Sequence, residues 1–377
     1  MNRIYLDHAA TSPMHPEVVE LFSKRLADVY GNPSSIHGTG REARKILDEA
    51  RNVLAKSIGA DDPEIIFTSG GTEADNLAIF GTALKNEGKH IITSQIEHHA
   101  VLHACQKLER DGYEVTYLPV DSYGLVKADD VKKALRDDTI LVTVMLGNNE
   151  VGSMQPIAEI GALLEGTETV FHTDAVQAYG VLPIDVDRLK VDLLSVSAHK
   201  LNGPKGVGFL YQRKGTSLAQ LSYGGEQERK RRAGTENVPA ISAFAKAVSI
   251  SMESREEKAA QYEQYKDEFK KALDDAGVAY KENGSQQMPH ILNLSIEGIE
   301  IESFLVNLDL SGISASSGSA CTAGSIDPSH VLVAMYGEEA EEIRNSIRFS
   351  FGYGLTIEKV RQAAEKTAQI SKRLALK

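Results

Sequence analysis

The chain has 377 residues, 42% of them hydrophobic, which is enough for a large core and for one large domain plus a smaller one. Its formal charge of −12 argues against a nucleic-acid-binding face as its main business, and no apolar run approaches the ~18–20 residues that span a bilayer. Cys105 and Cys321 stand far apart and suggest neither a structural disulfide nor a zinc site, and the N-terminus goes straight into strand-like sequence, so a cytoplasmic setting without a signal peptide is expected.

In chain order, Val18, Val19, Leu21, Phe22, Leu26 and Val29 form an apolar stripe that predicts a helix over 15–30, with Pro16 in its first turn. After a loop over 31–35, Ala43, Ile46, Leu47, Ala50, Val53 and Leu54 predict a second amphipathic helix. Strands then alternate with helices. Strand 64–68 leads through glycines into a helix, and strand 90–93 precedes a helix from about His98. Strand 114–118 precedes helix 127–135, and 139–146 is a long β-branched run. Helix 157–164 and strands 169–173, 192–196 and 207–211 complete the series. The alternation predicts a mainly parallel sheet with helices on both faces, binding its ligand where strand C-termini meet helix N-termini. A helical region over 239–276, highly charged at 253–258, marks a domain boundary. Strand 291–296, helix 301–310, strand 313–316, helix 328–336, strand 346–351 and a terminal helix then predict a compact α+β domain. The expected division is a large domain over 13–252 and a small one built from 1–12 and 253–377.

The chemistry centres on Ser197-Ala198-His199-Lys200, where an apolar strand ends and Gly203, Pro204 and Gly206 force a turn. Asp174 closes a neighbouring strand. An amine and an acid so placed suit pyridoxal phosphate: the amine takes the aldehyde as a Schiff base, and the acid holds the pyridinium nitrogen protonated. A surface lysine, and an Asp174 that caps the next helix, are the plainer alternatives. Gln177 could hydrogen-bond the ring hydroxyl. Ser69-Gly70-Gly71-Thr72-Glu73 offers a phosphate close backbone approach, a helix N-terminus and the Thr72 hydroxyl, although a tight turn capped by Thr72 accounts for the same residues. Ser197 and His199 could donate to the same phosphate. His98 and His99 follow Glu97; one imidazole could stack on a cofactor ring and shuttle protons, or cap the helix, and chemistry alone leaves the doublet open. Cys321 falls in the small, polar stretch 314–325, which reads as a mobile loop presenting a reactive thiol, whereas Cys105 reads as a structural helix residue. Arg348, a charge inside a β-run, needs a partner if buried and suits a carboxylate.

Tyr5-Leu6-Asp7-His8-Ala9-Ala10-Thr11-Ser12, Thr68-Ser69-Gly70-Gly71-Thr72-Glu73-Ala74-Asp75-Asn76, Asn148-Asn149-Glu150-Val151-Gly152, His172-Thr173-Asp174-Ala175-Val176-Gln177, Ser197-Ala198-His199-Lys200, Arg232-Ala233-Gly234-Thr235-Glu236-Asn237 and Ser316-Ser317-Gly318-Ser319-Ala320-Cys321 together resemble the NifS/IscS-type cysteine desulfurases of the class-V aminotransferase family, in motif order from first strand to last. The form of the cysteine segment resembles class I. The resemblance implies the α/β architecture of a fold-type I pyridoxal phosphate transferase, a mainly parallel sheet of about seven strands plus a smaller α+β domain, working as a homodimer with its sites at the subunit interface.

Carried over residue by residue, the resemblance makes Lys200 the Schiff-base lysine and gives His98 the ring-stacking and catalytic place, with His99 as its neighbour. Asp174 and Gln177 hold the ring, with Asn149 nearby. Gly71, Thr72, Ser197 and His199 bind phosphate, and Thr235 reaches the phosphate of the other subunit's cofactor. Arg348, with Asn149, holds the substrate carboxylate. Cys321 is the nucleophile that takes the sulfur of L-cysteine as a persulfide, leaving L-alanine. No intrinsic metal is implied, although Cys321 could transiently ligate an iron–sulfur cluster. The implied sulfur acceptors are an iron–sulfur scaffold protein or a tRNA-thiolation enzyme, with no direct nucleic-acid or membrane contact. Cys321 disfavours an aminotransferase, a selenocysteine lyase stays open, and Lys200 with Cys321 argues against a non-catalytic cofactor-binding or sulfur-carrier protein.

Overall fold

Runs such as Thr139-Ile140-Leu141-Val142-Thr143 are buried along their whole length and have no polar face, as strands covered by helices on both sides require. The chain is described by a computed structural model over residues 3–285, 287–318 and 328–375. It opens with β1 (Ile4–Tyr5), α1 (Pro16–Asp28) and α2 (Gly38–Lys56), the two helices capped by the ring nitrogens of His15 and His37. Then follow β2 (Ile65–Thr68), α3 (Gly71–Lys85), β3 (His90–Ser94), α4 (His99–Arg110), β4 (Glu114–Leu118), α5 (Ala128–Ala134) and β5 (Thr139–Thr143). Next come α6 (Ile157–Leu164), β6 (Val170–Asp174), α7 (Val186–Leu189), β7 (Leu193–Ser197) and β8 (Gly208–Gln212). The first half ends with α8 (Gln227–Lys230) and α9 (Val238–Glu253).

These strands make one seven-stranded sheet in the order β2-β8-β7-β6-β5-β3-β4. It is parallel except at β8, which runs antiparallel to both β7 and β2. The short connection over 198–207 has no room for a crossover helix, so β8 must turn back. Leu47 and Leu54 of α2, and Phe244 and Val248 of α9, pack with Tyr179 and Phe209 in the main core.

The predicted helical region over 239–276 is two helices. α10 (Arg255–Asp275) starts afresh after Ser254, whose hydroxyl donates to the Ile250 carbonyl at the end of α9. Then come β9 (Tyr280–Glu282), β10 (Ile291–Ile296), α11 (Ile301–Leu310), β11 (Ile313–Ser314), α12 (His330–Tyr336), α13 (Glu342–Asn345), β12 (Ser346–Ser350) and α14 (Ile357–Ala375). β12, β10 and β9 form an antiparallel sheet, and β11 pairs in parallel with β1, which ties the N-terminus to this part of the chain. Phe269, Phe304, Phe349 and Val360 fill a second core, with the Phe269 and Phe349 rings 4.4 Å apart. Among the described residues no helix is long and apolar enough to cross a membrane.

One buried ion pair holds the segment between β8 and α9 in place. Arg51 of α2 grips Glu228 through its two terminal guanidinium nitrogens, at 2.8 and 2.6 Å, and Glu228 also accepts from the Phe67 amide. Glu228, Arg229 and Lys230 all adopt positive φ, a conformation that side chains other than glycine resist. Removing one partner of a buried pair leaves the other charge without compensation. Arg51→Ala is therefore expected to destabilise the fold by about 3–5 kcal/mol, read as a lowered urea midpoint.

Candidate functional site

The C-terminal ends of the central strands open on a cavity of about 300 Å³. Each wall follows from a local rule. β2 ends at Thr68, and Gly70 takes a φ of 150° so that the chain can turn into α3. A Cβ on Gly71 would come within 2.7 Å of Val176 Cγ2, so only glycine lets the start of α3 lie this close to the turn after β6. The first N–H groups of α3 have no partner within the helix, and Thr72 lines the cavity beside them. β7 contributes Ser197, and the helical turn Ala198–Lys200 brings His199 and Lys200 to the same space. Lys200 Nζ donates to the carbonyls of Ala9 and Ala10, the latter at 2.8 Å.

β6 ends at Asp174, whose carboxylate accepts from the Val176 amide at 2.8 Å. Burial pushes its pKa up to about 6, against that hydrogen bond and the Lys200 charge, which favour the ionised form. Gln177 donates to the Ala9 carbonyl and faces His290 at 3.4 Å. His98 lines the cavity. Its Nδ1 caps α4 by accepting from the Ala100 amide. Burial, followed by the Lys200 charge, pushes its pKa down to about 4, so the ring is neutral. His99 turns away and stacks on His103 at 4.9 Å. His199, bonded to the Thr11 hydroxyl, is held neutral in the same way, at about 4.

Arg348 of β12 reaches the cavity from the other sheet. It donates to the Asn149 carbonyl and pairs with Asp7, both at 2.8 Å, while its Nε has no partner. Thus Gly71, Thr72, His98, Asn149, Asp174, Gln177, Ser197, His199, Lys200 and Arg348 share one cavity. Thr235 does not; it is exposed in the segment before α9. Cys321 lies outside the described residues, but Gly318, on the near side of that gap, lines the cavity. Gly318 and Ser329, from either side of the gap, both meet Glu150. Cys105 is buried in α4, and burial pushes its thiol far above the ordinary range.

Sequence reasoning missed four participants. Asp75 appeared only inside a motif, yet it is buried in the cavity wall with Oδ1 unpartnered. An acid on the buried face of an otherwise apolar helix was the available signal. The Ala9 and Ala10 carbonyls, being backbone groups, carried no signal. Asp7 showed no sign of pairing with Arg348.

A family model for class-V aminotransferases matches residues 4–362. IscS 1 of Bacillus subtilis (strain 168), provisionally named a cysteine desulfurase, is 61% identical over 99% of this chain and 100% of its own. The cysteine desulfurase IscS of Methanosarcina thermophila is 48% identical, over 98% of this chain and 92% of its own. A solved NifS-like protein superposes with a TM-score of 0.91 at 36% identity, covering 99% of this chain and 100% of that one. DndA from Streptomyces lividans does so at 0.77 and 38% identity, over 92% and 99%.

Proposed function

The chain belongs to the class-V aminotransferase family and its activity is that of a cysteine desulfurase, and from that premise we propose how its own residues divide the work. The family implies pyridoxal phosphate, and the residues present fit that group. One cavity collects an amine, a buried acid, a helix N-terminus with hydroxyls beside it, and a neutral imidazole. When bound, the cofactor supplies an electron sink for bonds at the α- and β-carbons of an amino acid. The meeting of the Lys200 amine and the Asp174 carboxyl on one cavity carries this reading.

Lys200 would hold the cofactor through its aldehyde and, once released, would move the proton of the substrate α-carbon. Asp174 would hold the ring-nitrogen proton, and Gln177 the ring hydroxyl. The α3 N-terminus with Thr72, Ser197 and His199 would bind the phosphate. His98 would stack on the ring. Arg348, which lines the cavity with Asn149 beside it, would bind the substrate carboxylate. Cys321 follows the cavity residue Gly318 closely, and a span of three residues reaches at most ~10 Å. Its thiolate attacks the substrate sulfur: an S–S bond forms, the C–S bond breaks, the carbon keeps the electron pair and is protonated, and alanine leaves. The persulfide then passes to an acceptor protein, either an iron–sulfur scaffold or a tRNA-thiolation enzyme. Feeding isotope-labelled cysteine and mapping the label by mass spectrometry tests this. Label on Cys321 and on one acceptor class supports it, and alanine formation with no labelled protein sulfur refutes it.

The working unit in this reading is a homodimer. Thr235 is exposed and outside its own cavity, and it lends its hydroxyl to the phosphate held by the partner subunit. A hydrogen bond to a charged group contributes about 1.5–3 kcal/mol, so Thr235→Ala should weaken cofactor retention about tenfold or more. Dilution to monomer should do the same. An active monomer that keeps its cofactor would defeat the shared-site arrangement.

A further inference from the structure

The wall of the cavity behind Lys200 is unusually acidic for so dry a place. Asp75 is 1% exposed and Asp174 is 6% exposed. A ligand atom from each, together with a ring nitrogen of His98, lies within 4.8 Å of the others. Asp75 Oδ1 has no hydrogen-bond partner. A third acid, Glu97, is buried nearby, accepting from the Ser94 hydroxyl and the Met145 amide.

The other groups facing Asp75 do not compensate two negative charges. His172 Nε2 stands 3.6 Å from Asp75 Oδ1, but the Ser195 hydroxyl engages that nitrogen and the Thr143 hydroxyl engages the other. Burial pushes the His172 pKa down to about 3, so the ring is neutral. His98 is neutral as well. The Lys200 charge favours ionised Asp174, which leaves Asp75 as the member of the pair to stay neutral. Burial and then the Asp174 charge raise the proton affinity of Asp75, and the nearby Ser195 hydroxyl opposes this only in part. Two carboxyls this close in a dry site titrate as a pair and do not both ionise at neutral pH.

We propose that Asp75 is a positioning residue that stays a neutral carboxylic acid beside ionised Asp174, so that the pair presents one negative charge to the cofactor's ring nitrogen. One charge matches one ring cation; a second would be left buried and unpaired. The binding arm of the test below rests on the reading of this cavity as a cofactor site, and the infrared arm does not.

Asn has the shape of a neutral acid and cannot ionise. Asp75→Asn should bind pyridoxal phosphate within about threefold of wild type, whereas Asp75→Ala, which leaves a hole beside Asp174, should bind it at least about tenfold more weakly. In cofactor-free protein at neutral pH, the infrared difference spectrum of wild type minus Asp75→Asn should show a carboxylic-acid carbonyl band. A carboxylate band in its place overturns the proposal whatever the cofactor does. So does a folded Asp75→Asn protein that loses cofactor as severely as Asp75→Ala. Wild-type cofactor binding by both variants removes the positioning role.

Discussion

Cys321→Ser protein should still bind L-cysteine and change the cofactor's absorption on doing so, yet release alanine at least about 10³-fold more slowly and form no persulfide. The argument separates two sets of residues. In the proposed mechanism the cavity residues bind and orient the substrate, and none of the described residues that line the cavity is a thiol. Sulfur can leave the substrate carbon only when a soft nucleophile takes it, and serine oxygen at neutral pH is not one. Cys105→Ser is the matched control. That thiol is buried between α4 and the sheet, far from its thiolate form, and its loss should leave turnover within about twofold, with a stability cost of roughly 0.5–1.5 kcal/mol for a small core change. Persulfide mapping decides the matter: sulfur on Cys105, or full turnover by Cys321→Ser, would overturn the assignment of the nucleophile.

Lys200→Ala should lose activity by at least about 10³-fold, and the cofactor should be bound without its covalent link. Lys200 is the only amine among the described residues that line the cavity. Arg348 cannot replace it, because a guanidinium is not a primary amine and this one is tied to Asp7 and the Asn149 carbonyl. The Ala9 and Ala10 carbonyls that hold the Lys200 ammonium would lose their donor, and water can take its place in an open cavity. A small exogenous amine should therefore restore part of the rate, rising with amine concentration. Wild-type turnover by the variant without added amine would rule out Lys200 as the covalent anchor.

Much of the framework was legible because apolar strands here stop at small polar residues. Thr68, Ser94, Asp174 and Ser197 close four strands, each of which ends at or leads to cavity residues. The reversal of β8 was less visible; the signal was the length of the connection after Lys200, and the apolar run itself is the same in either direction. β9 escaped notice because Tyr280-Lys281-Glu282 is short and polar, as an edge strand can be. The break at Ser254 was hidden in a charged stretch that a continuous helix would also expose. Within the site, the choice between His98 and His99 needed geometry, since one residue's turn along a helix start separates a ring facing the cavity from a ring stacked on His103. Asp75 stayed hidden because its partner, Asp174, comes from a strand distant in sequence.

Under the proposed mechanism, the sealed position of Cys105 bears on the traffic of sulfur after chemistry is over. The chain has two cysteines, and one of them sits at 0% exposure inside α4. If Cys321 carries the sulfur as proposed, that cargo would find no second berth on Cys105 while α4 stays folded. The sulfur would then leave only on a visiting molecule, one atom for each one loaded, and output would be metered by whoever docks to collect.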